Sequence, residues 1–197
     1  GCFWGLRTCC AAARGRQRAL LKRWILPRMP YPLRPHVEDA AAEGGCFETF
    51  KVLEFARGER VCENSASGGH LDILAYATDC WYTYKLKKVS VGAAKNGHLH
   101  VLDWFRDNGY PLHQGLFLAA ADNRQLNVLE WAKENECDWD TSVATRMAAN
   151  GDLDLLQWAK GAGYDLGDQF AAVAAEIGDQ AILEWARTSQ PRQGKTE

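Results

Sequence analysis

The chain has 197 residues, 47% of them hydrophobic and 24% charged, an ordinary globular mixture that excludes disorder over most of the length. No apolar run approaches the roughly 18 residues of a membrane span, because the longest are broken by Arg, Lys or Asp. The formal charge of −2 hides an asymmetry. Residues 1–35 hold eight bases and no acid, leaving fifteen bases against 25 acids in the rest, so the body is a poor nucleic-acid binder.

The chain opens on this basic segment, 1–35. Ala11-Ala12-Ala13 followed by Leu20-Leu21-Lys22-Arg23-Trp24 reads as a degenerate N-terminal repeat or cap. Arg14, Arg18 and Lys22 fall at i, i+4 and i+8, a positive stripe on a helix. A solvated face is favoured for it; a targeting segment, or a contact for nucleic acid or an acidic partner, is the alternative. The first residue is Gly1, so a module of a larger multidomain protein also stays open. Seven cysteines, an odd number without pairing logic and with no secretory signal ahead of them, point to a reducing, intracellular and cytoplasmic setting.

From residue 36 to 188 one phrase recurs: small residues, a turn, then a leucine-rich stretch ending in an aromatic. It ends at Tyr76, Trp104, Trp131, Trp158 and Trp185, intervals of 28, 27, 27 and 27 residues. Val52-Leu53-Glu54-Phe55-Ala56 is an earlier copy with altered spacing. Tyr31-Pro32-Leu33 before Ala40-Ala41-Ala42 matches Tyr110-Pro111-Leu112 before Ala119-Ala120-Ala121. About six copies follow the degenerate one, and residues 189–197 read as a disordered tail.

Within a copy, Leu155, Trp158, Ala159 and Ala162 form one helical stripe, with Leu153 and Leu156 flanking it. Asp152 is placed to cap this helix and Gly163 to end it, as Asn108-Gly109 ends an earlier one. A second, shorter, alanine-rich helix is read at Thr145–Asn150 and again at Phe170–Ala175, with Asp140 or Ser142 as a cap in the linker before it. One hairpin of ~27 residues cannot offset an ordering cost of tens of kcal/mol, so the copies must stack and share apolar faces. The tryptophans are expected to lie in that shared core, with Trp158→Ala costing roughly 3–5 kcal/mol.

These residues resemble the ankyrin repeat. Gly69-His70-Leu71-Asp72-Ile73-Leu74 and Gly97-His98-Leu99-His100-Val101-Leu102 look like its glycine-histidine-leucine opening of the second helix. Ala148-Ala149 with Gly151, and Asn108-Gly109, fit the same pattern. The copies are shorter than the usual ~33 residues and lack the threonine-proline-leucine-histidine tetrapeptide, which implies a plain loop in place of a projecting finger. The short, tryptophan-marked form is similar to divergent ankyrin proteins of some protists, algae and large viruses. The resemblance implies an all-α, ankyrin-like helical-hairpin repeat solenoid that binds a protein partner on its concave face as a monomer, without cofactor, metal or catalysis. By repeat register the contact residues are Lys95, Asn96, Asp122, Asn123, Arg146, Asn150 and Glu176.

Other chemistries are weaker readings. His70 and His98 occupy equivalent repeat positions and read as helix-opening side chains. His98 and His100, two apart on one helix, are expected to point to different sides and make a poor metal pair. Asp138, Asp140, Asp152 and Asp154 do not follow the order of a calcium loop. No phosphate-binding glycine loop and no nucleophile elbow are present.

Overall fold

The computed structural model describes residues 6–15, 17, 19, 23, 27, 34–52, 59–78, 89–110, 112–113 and 115–189. Outside them fall most of Leu20–Trp24, Arg18 and Lys22 of the basic stripe, Tyr31-Pro32-Leu33, Leu53–Ala56, Pro111 and the tail from 190. The described residues are helical, with no strand among them. No helix among them is long and apolar enough to cross a membrane. The chain divides into two compact units, Gly1–Leu116 and Phe117–Glu197.

In the N-terminal unit, α1 (Leu6–Arg14) precedes three hairpins. These are α2 (Arg34–Glu43) with α3 (Phe47–Val52), α4 (Glu59–Ser67) with α5 (Leu71–Thr78), and α6 (Val89–Lys95) with α7 (Leu99–Asp107). Helices α1, α2, α4 and α6 pack successively on one another. The C-terminal unit takes in α8 (Leu116–Asp122) from Phe117 onward, with α9 (Leu126–Glu134). Then come α10 (Thr141–Ala149) with α11 (Leu153–Gly161) and α12 (Gln169–Ile177) with α13 (Gln180–Ser189). There α10 packs on α12.

Why the first helix of each hairpin forms is visible in what it buries. Val61-Cys62 with Ser65-Ala66, Val89-Ser90 with Ala93-Ala94, Leu116-Phe117 with Ala120-Ala121, and Val143-Ala144 with Met147-Ala148 are all buried. This i, i+1, i+4, i+5 set of mostly small side chains makes a stripe narrow enough for two backbones to approach. Cys9, Ala12 and Ala13 of α1 and Val37, Ala41 and Ala42 of α2 extend it. Thus α1 carries the first-helix pattern at the N-terminal end too.

The alanine-rich helix comes first in its hairpin, and α10 is as long as its partner α11, nine residues each, whereas α6 and α8 have seven against nine in α7 and α9. The expectation of a short second helix at Thr145–Asn150 therefore needs correcting. The helix starts at Thr141, because Asp140 is its N-cap and accepts from the Ser142 amide at 2.7 Å.

Each first helix ends in the same tight turn. The amides of Cys46, His70, His98, Gln125, Asp152 and Asp179 donate to the carbonyls of Ala41, Ser65, Ala93, Ala120, Met147 and Ala174, five residues back, at 2.8–3.1 Å. Such a 6→1 bond needs a left-handed residue before it. The positions are Gly45, Gly69, Gly97, Arg124, Gly151 and Gly178, with φ between 52° and 80°. Second helices close in the same way, where Tyr110, Cys137 and Tyr164 donate to Phe105, Ala132 and Ala159 over Gly109, Glu136 and Gly163.

The second helices bury Ile73-Leu74-Ala77, Val101-Leu102-Phe105, Val128-Leu129-Ala132 and Leu155-Leu156-Ala159. The aromatics that mark the period lie shallower than the sequence suggests. Trp131 is buried, but Trp104, Trp158 and Trp185 are half-buried and Tyr76 is 39% exposed. They sit one helical position before the buried alanine or phenylalanine, at the margin of the stripe. Their partners are other rings: Trp104 lies 5.0 Å from Tyr110, Trp158 6.0 Å from Tyr164, and Trp185 6.1 Å from Phe170.

Candidate functional site: the exposed ends of the first helices

The seven residues assigned to partner contact fall in two groups. In the N-terminal unit, Lys95 ends α6 and is exposed. Asn96 is exposed, but its amide donates to Ser67 O at 2.9 Å and to Gly92 O at 3.2 Å, so it ties its own hairpin to the preceding one. In the C-terminal unit, Asp122 at the end of α8 collects two partners from α10 and its cap. Asn150 Nδ2 donates to Asp122 Oδ1 at 3.3 Å, and Arg146 Nε lies 3.7 Å from the same oxygen. The Arg146 and Asp122 side chains remain 55% and 38% exposed, so this triad is presented to solvent. Asn123 turns its amide onto Ala119 O at 2.9 Å. Glu176 is exposed on α12, apart from the triad.

Sequence reasoning missed a second polar cluster beside this one. Asp152 is the N-cap of α11, yet its side chain makes no cap hydrogen bond. Its carboxylate, only 6% exposed, instead meets Arg124 at 2.9 Å, and Arg124 also approaches Asp154 at 3.9 Å. The carboxylate thus takes a charged donor on the preceding turn in place of the local amide bond. The signal was available: arginine stands at 124 where the neighbouring copies carry Gly97 and Gly151.

The histidines also depart from expectation. His98 and His100 do not point to different sides, since their rings lie 5.9 Å apart. Both face the preceding hairpin, with Nε2 at 3.0 Å from Ser67 O and 2.8 Å from Gly69 O. The helical spacing rule does not govern the pair, because His98 is the N-cap with ψ 75°. Burial pushes the His98 imidazole below its ordinary value, and it stays neutral near pH 7.

The thiols of Cys9, Cys10 and Cys137 are not poised for attack. Burial first, then the adjacent charges Cys10 at Cys9 and Asp138 at Cys137, raises both above the usual thiol range. Burial is also the main cause at Cys10. A raised thiol is largely protonated at neutral pH and a weak nucleophile. Burial likewise raises the Tyr164 hydroxyl, helped by Cys137. Among the described residues no three His, Cys, Asp or Glu side chains converge as a metal ion would require. At the basic end, Arg14 pairs with Glu43, its Nε 3.1 Å from the carboxylate, and Cys46 Sγ donates to Arg14 O at 3.1 Å. The member of the predicted basic stripe that is described is thus already neutralised within the fold.

Compared with known proteins, the chain matches no protein-family model, and no curated protein matches it significantly.

Proposed function

We propose that the chain is a non-catalytic protein-binding scaffold of ankyrin-like repeats, with contact made by the exposed ends of its first helices. The observation that carries this reading is the contrast between a repeated interior and a rim whose charge changes from copy to copy. Val or Leu, then Ser, Phe or Ala, then Ala or Met and a final Ala occupy the four buried positions of α6, α8 and α10. At the exposed helix ends Lys95, Asp122 and Ala149 differ from copy to copy, as do Gly92, Ala119 and Arg146 one turn earlier, while Asn96, Asn123 and Asn150 recur. A fixed frame with variable exposed chemistry is what selecting among partners requires, because rim charges set specificity and rate of encounter.

The Asp122–Arg146–Asn150 triad is the sharpest part of that surface. Its ion pair is solvent-exposed, so it contributes at most a few tenths of a kcal/mol to folding. The full chain and an Arg146→Ala/Asn150→Ala variant, immobilised side by side, provide the test. A protein retained by the first and identified by mass spectrometry should be missing from the second, with the melting temperature shifted by less than about 2 °C. Equal retention by both chains refutes the assignment of this face.

A further inference from the structure

Each first helix inside the stack is buried on two sides, one toward the hairpin before it and one toward the hairpin after it. On α10 all four stripe residues, Val143, Ala144, Met147 and Ala148, are buried, and α12 packs on that helix. On α12, the last first helix among the described residues, only half of the stripe is covered. Phe170 and Ala174 are buried, but Ala171 is half-buried and Ala175 exposed. Its partner α13 repeats the contrast, since Leu183 is half-buried where Leu156 of α11 is fully buried. A repeat that closes an array carries a polar outer face. This one presents alanines and a leucine.

The charged crossings between hairpins show what the open side is shaped to meet. Asp122 draws Asn150 to 3.3 Å and Arg146 to 3.7 Å, both from the hairpin after it. Glu176 holds the same register position on α12 and is exposed. In the opposite direction, Arg60 at the start of α4 reaches back to Asp39 of α2 at 3.0 Å. Arg7 holds that position on α1 and is exposed, as are Thr8 and Ala11, whose equivalents Val37 and Ala40 on α2 are buried. Gly92 is the equivalent of Ala11 on α6, and a Cβ there would run into Ser67 of the preceding helix, so this side of a first helix is the one that faces backward. The two sides also differ in charge. Residues 165–189 hold Asp165, Asp168, Glu176, Asp179 and Glu184 against Arg187 alone, whereas residues 1–35 hold eight bases and no acid.

We propose that the open face of α12 and α13 binds the backward side of α1 of a second copy of this chain, so that the stack continues head to tail from one copy into the next. Ala171 and Ala175 supply the small surface that lets a helix approach, Thr8 and Ala11 its counterpart, and the joint brings Arg7 and Glu176 onto facing sides. The two surfaces differ, so the contact is heterologous and each bound copy keeps one end open for another. Pairing two α12 faces instead would set like charges against each other. Such growth replaces the monomer that the family resemblance implies. It stands apart from the rim of Arg146 and Asn150, which the joint does not use.

Sedimentation velocity of the purified full chain, from micromolar to millimolar, reads the association directly. The sedimentation coefficient should rise with concentration, and raising salt from about 50 to about 500 mM should weaken association about tenfold. Ala175→Glu places a long charged side chain where the equivalent Ala148 is fully buried, and Thr8→Glu/Ala11→Glu blocks the other surface. All three sites are exposed in the single chain, so thermal unfolding should be unchanged. Each variant alone should stay monomeric. Mixed in equal amounts, they should form pairs and nothing larger, because each retains one open end. A full chain that stays monomeric, association indifferent to salt, association that survives in either variant, or a mixture that does not pair overturns the proposal. The first two readouts need only the unmodified chain.

Discussion

Two turns carry a non-glycine residue in the left-handed conformation, Arg124 and Glu136, each with φ 52°. Replacing each by glycine should move stability in opposite directions. The backbone contribution is common to both. An L-residue held there costs roughly 1–2 kcal/mol; glycine removes that cost but offsets about 0.4–1 kcal/mol of the gain, because its unfolded chain is more entropic. Glu136→Gly should therefore stabilise by about 0.5–1 kcal/mol, since the side chain is exposed. At 124 the same gain is set against Asp152, which the arginine meets at 2.9 Å and whose side chain is 6% exposed. Arg124 is 62% exposed, so the pair itself is discounted to a few tenths, but a buried carboxylate left short of a donor costs about 1–3 kcal/mol. Arg124→Gly should thus be neutral to about 2 kcal/mol destabilising. Urea unfolding with a shared m-value measures both. Adding Asp152→Asn to Arg124→Gly should recover stability, because the uncompensated charge is gone; the resulting non-additivity is the ion pair's coupling energy. The reasoning fails if Arg124→Gly stabilises as much as Glu136→Gly, or if Glu136→Gly does not stabilise at all.

Leu156 is fully buried and Trp158 only half, so Leu156→Ala should cost about 3–4 kcal/mol and Trp158→Ala about 2 kcal/mol, an order reversed from residue size. Equilibrium unfolding that ranks them the other way would return the tryptophan to the core. At the turns, Gly69→Ala should lose about 2–3 kcal/mol, because its Cβ meets His98 Nδ1 at 2.8 Å as well as φ +72°. Gly109→Ala, at φ +68° with nothing within 4 Å, should lose only about 1 kcal/mol. Equal losses, measured by thermal unfolding, would mean that the His98 ring yields freely.

Much of the architecture can be read from the chain. The 27-residue interval locates the hairpins because each copy must meet its neighbour with the same face, and stacking penalises any drift. Asn108-Gly109 and Gly163 are legible as helix ends because a left-handed C′ residue has few alternatives to glycine. Asp140 is legible as a cap for a similarly local reason. Depth is not legible in this way. A period says that Trp104, Trp131 and Trp158 share a register, and nothing in it separates a position at the centre of a stripe from one at its edge. Hence Trp131 is buried while the other two remain half-exposed. The partner-contact positions suffer from the same blindness. The repeat register offers Asn96 as a partner contact, yet a hydrogen bond crosses from it to the preceding hairpin.

Those crossings mean that the information sits in pairs of hairpins and not in single copies. Gly45 lies against the ring of His70 and Gly69 against that of His98, so the glycine is required both by its own φ and by the imidazole that follows. Where the following residue is the shorter Asp152, position 124 can hold an arginine, and the carboxylate it meets makes up for the strained backbone. Asp122 with Arg146 and Asn150 repeats the arrangement one step further out on the surface. A substitution at any of these turns is therefore felt in the next hairpin. Transplanting one copy into another position should destabilise the chain unless the residue it faces is transplanted with it, which is why the exposed rim cannot vary as freely as the sequence alone suggests.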